Sequence, residues 1–383
     1  MAPPQNPSLY ANLRQSLSQA IQRHHDLRRM ASRVQRSGQI IIPKPTKDDY
    51  SVPKAYQPIT LLNTLGKLLM KIIANHLQFD SITNNLLHTG QFGGIQKHAA
   101  DDVGVLPMDF ISSHRDQGLH TLVLALDIAQ FFPSLSHSVM AALLQRLSFH
   151  KYIIQFITSF FSHRYTTYKW GSSLSDCFPF DFSTPQGDCL SPTLSALYIS
   201  LVLYHLYSHD KDLFSPIRCL FFVDDGTLLT TSSSLTQNIE TLHHSYLHLL
   251  TSFAKIGLTI KASKTELKHF IAFDLTASWR KFAHVTQPAL SFSFQGHAYT
   301  INLSENWRYL GFFFNSFLKF DYHVKHYTNK AFSSLHACSM LGNSAGGLGP
   351  APRLSSSKRA YSPFSYMASL SGTLSGAKVS SNT

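Results

Sequence analysis

Two adjacent carboxylates sit in an apolar setting in Phe221-Phe222-Val223-Asp224-Asp225-Gly226-Thr227-Leu228-Leu229. Asp-Gly between two β-prone runs predicts a hairpin, because the turn needs a positive φ that glycine adopts without strain. Two acidic side chains would then share its tip. Neighbouring carboxylates repel, and a divalent cation relieves the repulsion; hard oxygen ligands favour Mg²⁺ or Mn²⁺. Taken alone, the stretch reads better as a solvated turn. A third carboxylate, Asp127, follows the nearly all-apolar run 121–126. Asp127 alone could equally be a strand-end cap. A strand beside a hairpin, each with acid at one end, has the geometry of two-metal phosphoryl transfer. There one metal activates a 3′-hydroxyl and the other holds the triphosphate and the leaving pyrophosphate.

The elements that must position these acids follow from periodicity. A strand is expected over 121–126, with helices over 138–147 and 153–161 after it. Residues 166–170 and 177–183 alternate like a hairpin around Gly171-Ser172-Ser173. Pro192 opens a long charge-free stretch over 190–207 that contains Ser191, Thr193, Ser195, Ser200 and His205. Those polar residues predict a buried helix, not a membrane span. Upstream, 40–42 is a short isoleucine strand, 65–77 has helical spacing, and 101–115 is a further helix. Downstream, 235–256 is a helix ending at Gly257, and strand-like pieces lie around 269–272, 289–294 and 298–303. The aromatic run 307–314 is a strand pair, and 320–340 is helical.

A basic amphipathic helix is expected over 10–34, either as a solvated face or laid along a phosphate backbone. From Gly342 the chain turns to Gly, Ser, Ala and Pro, as in a disordered tail. The expected division is 1–37 basic segment, three successive folded regions over 38–118, 119–272 and 273–341, and a tail over 342–383.

Composition narrows the partner. Of 383 residues, 44% are hydrophobic and 14% charged, which is globular and not disordered. The formal charge is +12, and residues 1–76 hold eleven Lys or Arg against three Asp. Such an excess points to a polyanion, with anionic membrane as the rival. Cys177, Cys189, Cys219 and Cys338 are widely spaced, which excludes a disulfide framework or a Cys-x-x-Cys zinc site. The N-terminus lacks an apolar signal core, so the chain is expected to be soluble and not secreted.

The motif order resembles the palm and fingers of reverse transcriptases, closest to those of non-LTR (LINE-type) retrotransposons. Lys44, Tyr56-Gln57-Pro58-Ile59-Thr60-Leu61-Leu62 and Lys67 are similar to the fingers block. Leu126-Asp127-Ile128-Ala129-Gln130-Phe131-Phe132-Pro133-Ser134-Leu135 resembles the first palm motif, and Thr184-Pro185-Gln186-Gly187-Asp188-Cys189-Leu190-Ser191-Pro192 the second. Phe222-Val223-Asp224-Asp225 is similar to the paired-aspartate motif, the stretch from Gly257-Leu258 to Lys264-Thr265-Glu266 to the next block, and Tyr309-Leu310-Gly311 to the primer-gripping one.

The resemblance implies an α+β right-hand polymerase: an antiparallel palm sheet backed by helices, with fingers and a partial thumb. It implies an RNA-directed DNA polymerase using two Mg²⁺ ions (Mn²⁺ as substitute), an RNA template, a DNA primer and deoxynucleoside triphosphates. Asp127 and Asp224 would ligate both metals, with Asp225 assisting and the Ile128 carbonyl completing the shell. Phe132 would stand against the sugar 2′-position; on sequence alone it is equally a core phenylalanine. Gln186 and Gly187 would border the nascent base pair, Lys44 the triphosphate and Lys264 the pyrophosphate. Nuclear or cytoplasmic location follows from the resemblance alone.

Three departures stand out. Gln57 replaces the usual arginine, losing a bidentate phosphate donor. Met70 replaces a usual glutamate, and His98-Ala99-Ala100 fill arginine and Ser/Thr positions. With no upstream endonuclease in the sequence, the chain is expected to be a fragment or decaying copy. A remnant that only grips nucleic acid is the rival reading, and an unrelated basic interaction protein the third.

Overall fold

The computed structural model describes residues 36–44, 48–62, 64–96, 98, 100–162, 164–179, 184, 187–272, 287–316, 318 and 320–340. The expected helix over 10–34, the tail and Gln186 lie outside them. In chain order the elements begin with β1 (Arg36–Pro43), β2 (Tyr56–Leu61), α1 (Thr64–Thr83), α2 (Ala100–Asp116) and β3 (His120–Asp127). Next come α3 (His137–Arg146), α4 (Lys151–Phe161), β4 (Tyr165–Trp170), β5 (Ser173–Leu174), β6 (Phe178–Pro179) and α5 (Ser191–His209). Then follow β7 (Ile217–Phe222), β8 (Asp225–Ser232), α6 (Leu235–Lys255) and β9 (Glu266–Phe270). The last are β10 (Leu290–Phe294), β11 (His297–Ile301), β12 (Trp307–Tyr309), β13 (Phe312–Phe314) and α7 (Asp321–Met340).

The chain separates into two compact units that share it in alternation. The first takes residues 1–99, 127–226 and 245–261, and the second 100–126, 227–244 and 262–383.

In the first unit α5 is the centre of the core. Its residues from Thr193 to Ser200 are all buried, as are Val202, Leu203 and Leu206, and Pro192 occupies its first turn. A helix apolar all round must be enclosed on every side, which is why it shows no amphipathic stripe. Among the described residues no helix is long and apolar enough to cross a membrane. Helix α4 buries Ile153, Phe156, Ile157, Phe160 and Phe161, the i, i+3, i+4 stripe of a helix packed on one face. Each such side chain contributes about 1.5–3 kcal/mol by leaving water.

The sheet of this unit runs β2-β1-β4-β5, with β6 also on β4. Strands β1 and β2 are antiparallel, with Ile40 opposite Ile59, whereas β1 and β4 are parallel, with Gln39 opposite Tyr168. The hairpin expected around Gly171 is present: Trp170 faces Ser173 across it, and Gly171 has φ +56°. Ser37, Gln39, Thr60 and Thr166 are buried together on one face.

In the second unit β8, β3 and β9 are neighbours in that order. Strands β3 and β9 are antiparallel, with Val123 opposite Lys268. Leu122, Val123 and Leu124 are fully buried, so this strand reads as a continuous apolar run and not as an alternation. Two hairpins, β10-β11 and β12-β13, precede α7 in this unit.

Candidate active site

Strand β3 delivers Asp127 at its last position, half-buried where the apolar run ends. Past the strand the backbone stays paired on both sides. The Ile128 N–H donates to the Asp224 carbonyl at 3.2 Å, while the Ala129 N–H donates to Thr259 O at 2.7 Å. The Lys261 N–H donates to Asp127 O at 3.0 Å. Ile128, next to Asp127, is thereby held one hydrogen bond from Asp224, although nearly a hundred residues separate them in the chain. The Ile128 side chain is buried, so what it can offer a ligand is its backbone.

The expected hairpin tip is present, but its geometry differs from the Asp-Gly reading. Strand β7 ends at Phe222 and β8 already begins at Asp225, leaving Val223 and Asp224 as the turn. The positive φ belongs to Val223, at +62°, and Gly226 is buried inside the strand. A left-handed conformation costs a β-branched residue about 1–2 kcal/mol, so the surroundings must enforce it.

The enforcing segment is 90–94. The Phe221 N–H donates to Gly90 O at 2.7 Å and the Phe92 N–H to Phe221 O at 2.9 Å, which lays Gln91 parallel to β7. Gly93 presses so closely on the tip that a Cβ there would meet the Phe222 carbonyl carbon and Val223 Cγ2, each at 2.7 Å. The adjacent glycines Gly93-Gly94 are the signal in the sequence for this close approach.

Gln130, at φ +46°, opens a helical turn over Phe131–Ser134. Within it the two phenylalanines divide their roles. Phe131 is buried and Phe132 only half-buried, with ring centroids 5.6 Å apart. The core position is therefore filled by Phe131, leaving Phe132 partly available.

The Phe132 carbonyl accepts from both the N–H and the Oγ1 of Thr184, at 3.1 and 3.3 Å. Thr184 is buried, and Gly187 follows three residues later at φ +101°. A Cβ at Gly187 would approach Thr60 O at 3.4 Å and Ile59 Cγ2 at 3.5 Å, so this loop also faces β2.

Beside Gly187, Asp188 accepts from the Leu190 N–H at 3.1 Å and is buried. Burial pushes its carboxyl up to about 6, although Arg164 pulls the other way. Arg164 is itself wholly enclosed, with its guanidinium 4.7 Å from the Phe160 ring centre, and burial pulls it down to about 10. Neither Arg164 nor Asp188 was singled out from sequence, because nothing local marks a charge for burial.

The remaining expected residues are placed as follows. Lys44 follows β1; its N–H donates to Ala55 O at 2.8 Å, and its carbonyl accepts from the Tyr50 hydroxyl at 2.7 Å. Lys264 closes a short 3-10 turn in the second unit and is exposed. Tyr309 is buried, its ring stacked 5.4 Å from Trp307, while Leu310 and Gly311 form the β12-β13 turn with φ +48° and +90°. The structure thus joins the segments that bear Asp127 and Asp224-Asp225 through the Ile128–Asp224 backbone bond, and ties Phe132 to Thr184. It leaves Lys264 and 309–311 in the other unit.

The carboxylates fit hard divalent cations by donor type. Among the described residues no three His, Cys, Asp or Glu side chains enclose a point as an all-protein metal cage would. Mg²⁺ does not require one, since it characteristically takes one or two carboxylates and completes its shell with water and substrate phosphates.

Residues 42–314, well over half of the chain, match the reverse transcriptase (RNA-dependent DNA polymerase) family. The chain belongs to the reverse transcriptase family. The retrovirus-related Pol polyprotein of the type-1 retrotransposable element R2 from Popillia japonica is 27% identical over 281 residues, covering 70% of this chain and 36% of that protein. The RNA-directed DNA polymerase of the mobile element jockey from Drosophila melanogaster is 26% identical over 196 residues, covering 51% of this chain and 21% of that one. Both relatives are polymerase-bearing proteins of retrotransposable or mobile elements by name. The chain spans about a third or less of their length. Telomerase from Candida tropicalis, in a complex with a fragment of telomeric RNA, superposes with a TM-score of 0.51 at 11% identity, over 91% of this chain and 55% of that one. The likeness is one of fold, the α+β right-hand polymerase.

Proposed function

We propose that this reverse transcriptase chain carries a working polymerase centre that extends a DNA primer on an RNA template. The observation that carries the reading is the hydrogen bond from the Ile128 N–H to the Asp224 carbonyl, which joins the two acid-bearing segments. Asp127, Asp224 and Asp225 would hold two Mg²⁺ ions, with Mn²⁺ as substitute and the Ile128 carbonyl as a further ligand. Bound there, the ions would supply an activated 3′-hydroxyl and neutralise charge on the triphosphate. The chain's own contribution is preorganisation: backbone pairing fixes where the acids stand before substrate arrives. Phe132, half-exposed beside the acids in sequence, would close the space of a 2′-hydroxyl. Gly187 would let the backbone approach the nascent pair, next to Gln186. Lys44 would meet the triphosphate. Lys264 and the Leu310–Gly311 turn take their roles, pyrophosphate and primer contact, from motif position.

The test is primer extension on an RNA–DNA hybrid with Mg²⁺ or Mn²⁺, beside Asp224→Ala. Extension by the parent and at least a thousandfold loss in the variant, with hybrid binding kept, is the expected result. Equal extension by both would remove the mechanism.

A second reading, a remnant that binds without extending, is favoured by one observation. Met70 is fully buried in α1, where an apolar side chain packs better than the family's usual glutamate. The fold therefore tolerates the loss of that charge without any demand from catalysis. Hybrid binding with no extension, and extension regained on Gln57→Arg, would support this second reading.

A further inference from the structure

The two hydrogen bonds that Thr184 gives the Phe132 carbonyl join segments 52 residues apart. They lie inside the protein, since Thr184 is only 2% exposed. Around Phe132 the turn is closed by the Ser134 N–H donating to Gln130 O at 2.9 Å. Its helical turn is four residues long, it begins at a left-handed Gln130, and its neighbour Phe131 makes the core contact. Thr184 adds two bonds to the Phe132 carbonyl itself, and the side chain's direction follows the backbone. Three residues on, Gly187 lies beside Thr60 and Ile59 of β2.

We propose that Thr184 is a positioning residue for sugar selection: it sets the Phe132 ring against the 2′-position of the incoming nucleotide. This rests on the reading of Phe132 given above. A hydroxyl is needed for the second bond. Valine keeps the shape and the backbone bond but removes it, whereas serine keeps it. Losing one sheltered hydrogen bond would relax the ring and admit ribonucleotides more readily, by about three- to tenfold in the ratio.

The experiment compares deoxynucleotide with ribonucleotide incorporation for the parent, Thr184→Val, Thr184→Ser and Phe132→Val. The same four proteins are assayed for competitive binding of the two nucleotides to a complex with a chain-terminated primer. Expected are a reduced ratio for Thr184→Val, a near-parental ratio for Thr184→Ser, and the lowest ratio for Phe132→Val. If Thr184→Val slows both nucleotides equally while Phe132→Val still lowers the ratio, Thr184 is structural only; the proposal fails and the reading of Phe132 stands. If Phe132→Val leaves the ratio unchanged, that reading fails and takes the proposal with it. Absence of nucleotide binding by the parent would overturn both.

Discussion

Arg164 and Asp188 are buried opposite charges that attract each other, and burial sets a cost on holding either. Burial dominates both groups: the carboxyl is raised to about 6 and the guanidinium lowered to about 10 despite their mutual attraction. A pair with this balance does not stabilise the fold outright, but removing one member leaves the other charged and enclosed, which costs about 3–5 kcal/mol. Arg164→Met, which keeps much of the volume over Phe160, should therefore destabilise by that amount at pH 8. The sign with pH follows from Asp188. A carboxylate raised above its unfolded value of 3.8 contributes stability that is whole below about 3.8 and lost as pH rises through about 6. In the variant that loss grows, because the counter-charge is gone. At pH 5 Asp188 is largely protonated, and the penalty of Arg164→Met should shrink. Urea titrations of parent and variant at both pH values measure this, and a penalty independent of pH would show that the two groups do not communicate.

The carboxylate tip shows how an element can depend on a segment outside itself. Val223 adopts φ +62° because segment 90–94 lies along β7 and leaves the tip no other path. Gly93→Ala places a Cβ within 2.7 Å of the tip backbone, closer than any real contact allows. Overpacking of this kind costs about 1–3 kcal/mol, and the atoms it would displace are those of the tip. Gly118→Ala is the control: Gly118 has φ +76° but nothing within 4 Å, so only backbone strain is added. Gly93→Ala is expected to abolish extension and lower the urea midpoint, while Gly118→Ala lowers the midpoint alone. Equal activity of the two variants would mean that close approach at Gly93 does not govern the acids. The place of Asp127 at a strand end and of Asp224 in a turn was legible in sequence, since an apolar run ending in a carboxylate is a local pattern. So was α5, because a charge-free stretch with scattered hydroxyls has one sensible place. Which residue takes the positive φ was not legible: turn propensity favours glycine, and packing from 90–94 overrides it. The bond between Thr184 and Phe132 was equally hidden, since nothing in either segment marks the other.

At the scale of the whole molecule, binding and chemistry should be separable, because different groups serve them. On the proposed reading the formal charge of +12 would supply attraction for phosphate backbones at any sequence, whereas the acids at 127, 224 and 225 would be needed only where a bond forms. Cation removal with EDTA should therefore stop extension while leaving hybrid affinity nearly unchanged, and restored Mg²⁺ should return the activity. Affinity should instead respond to monovalent salt. If Lys and Arg neutralise about five phosphates, the logarithm of the association constant falls with the logarithm of salt at a slope of about −4. Asp224→Ala should keep that slope, since it removes no cationic contact and makes the net charge more positive. Fluorescence anisotropy of a labelled hybrid across a salt series, with and without EDTA, reads both quantities in one experiment. Loss of binding on chelation would place the ions in the grip and not in the chemistry. A slope near zero would mean that the basic excess serves something other than nucleic acid.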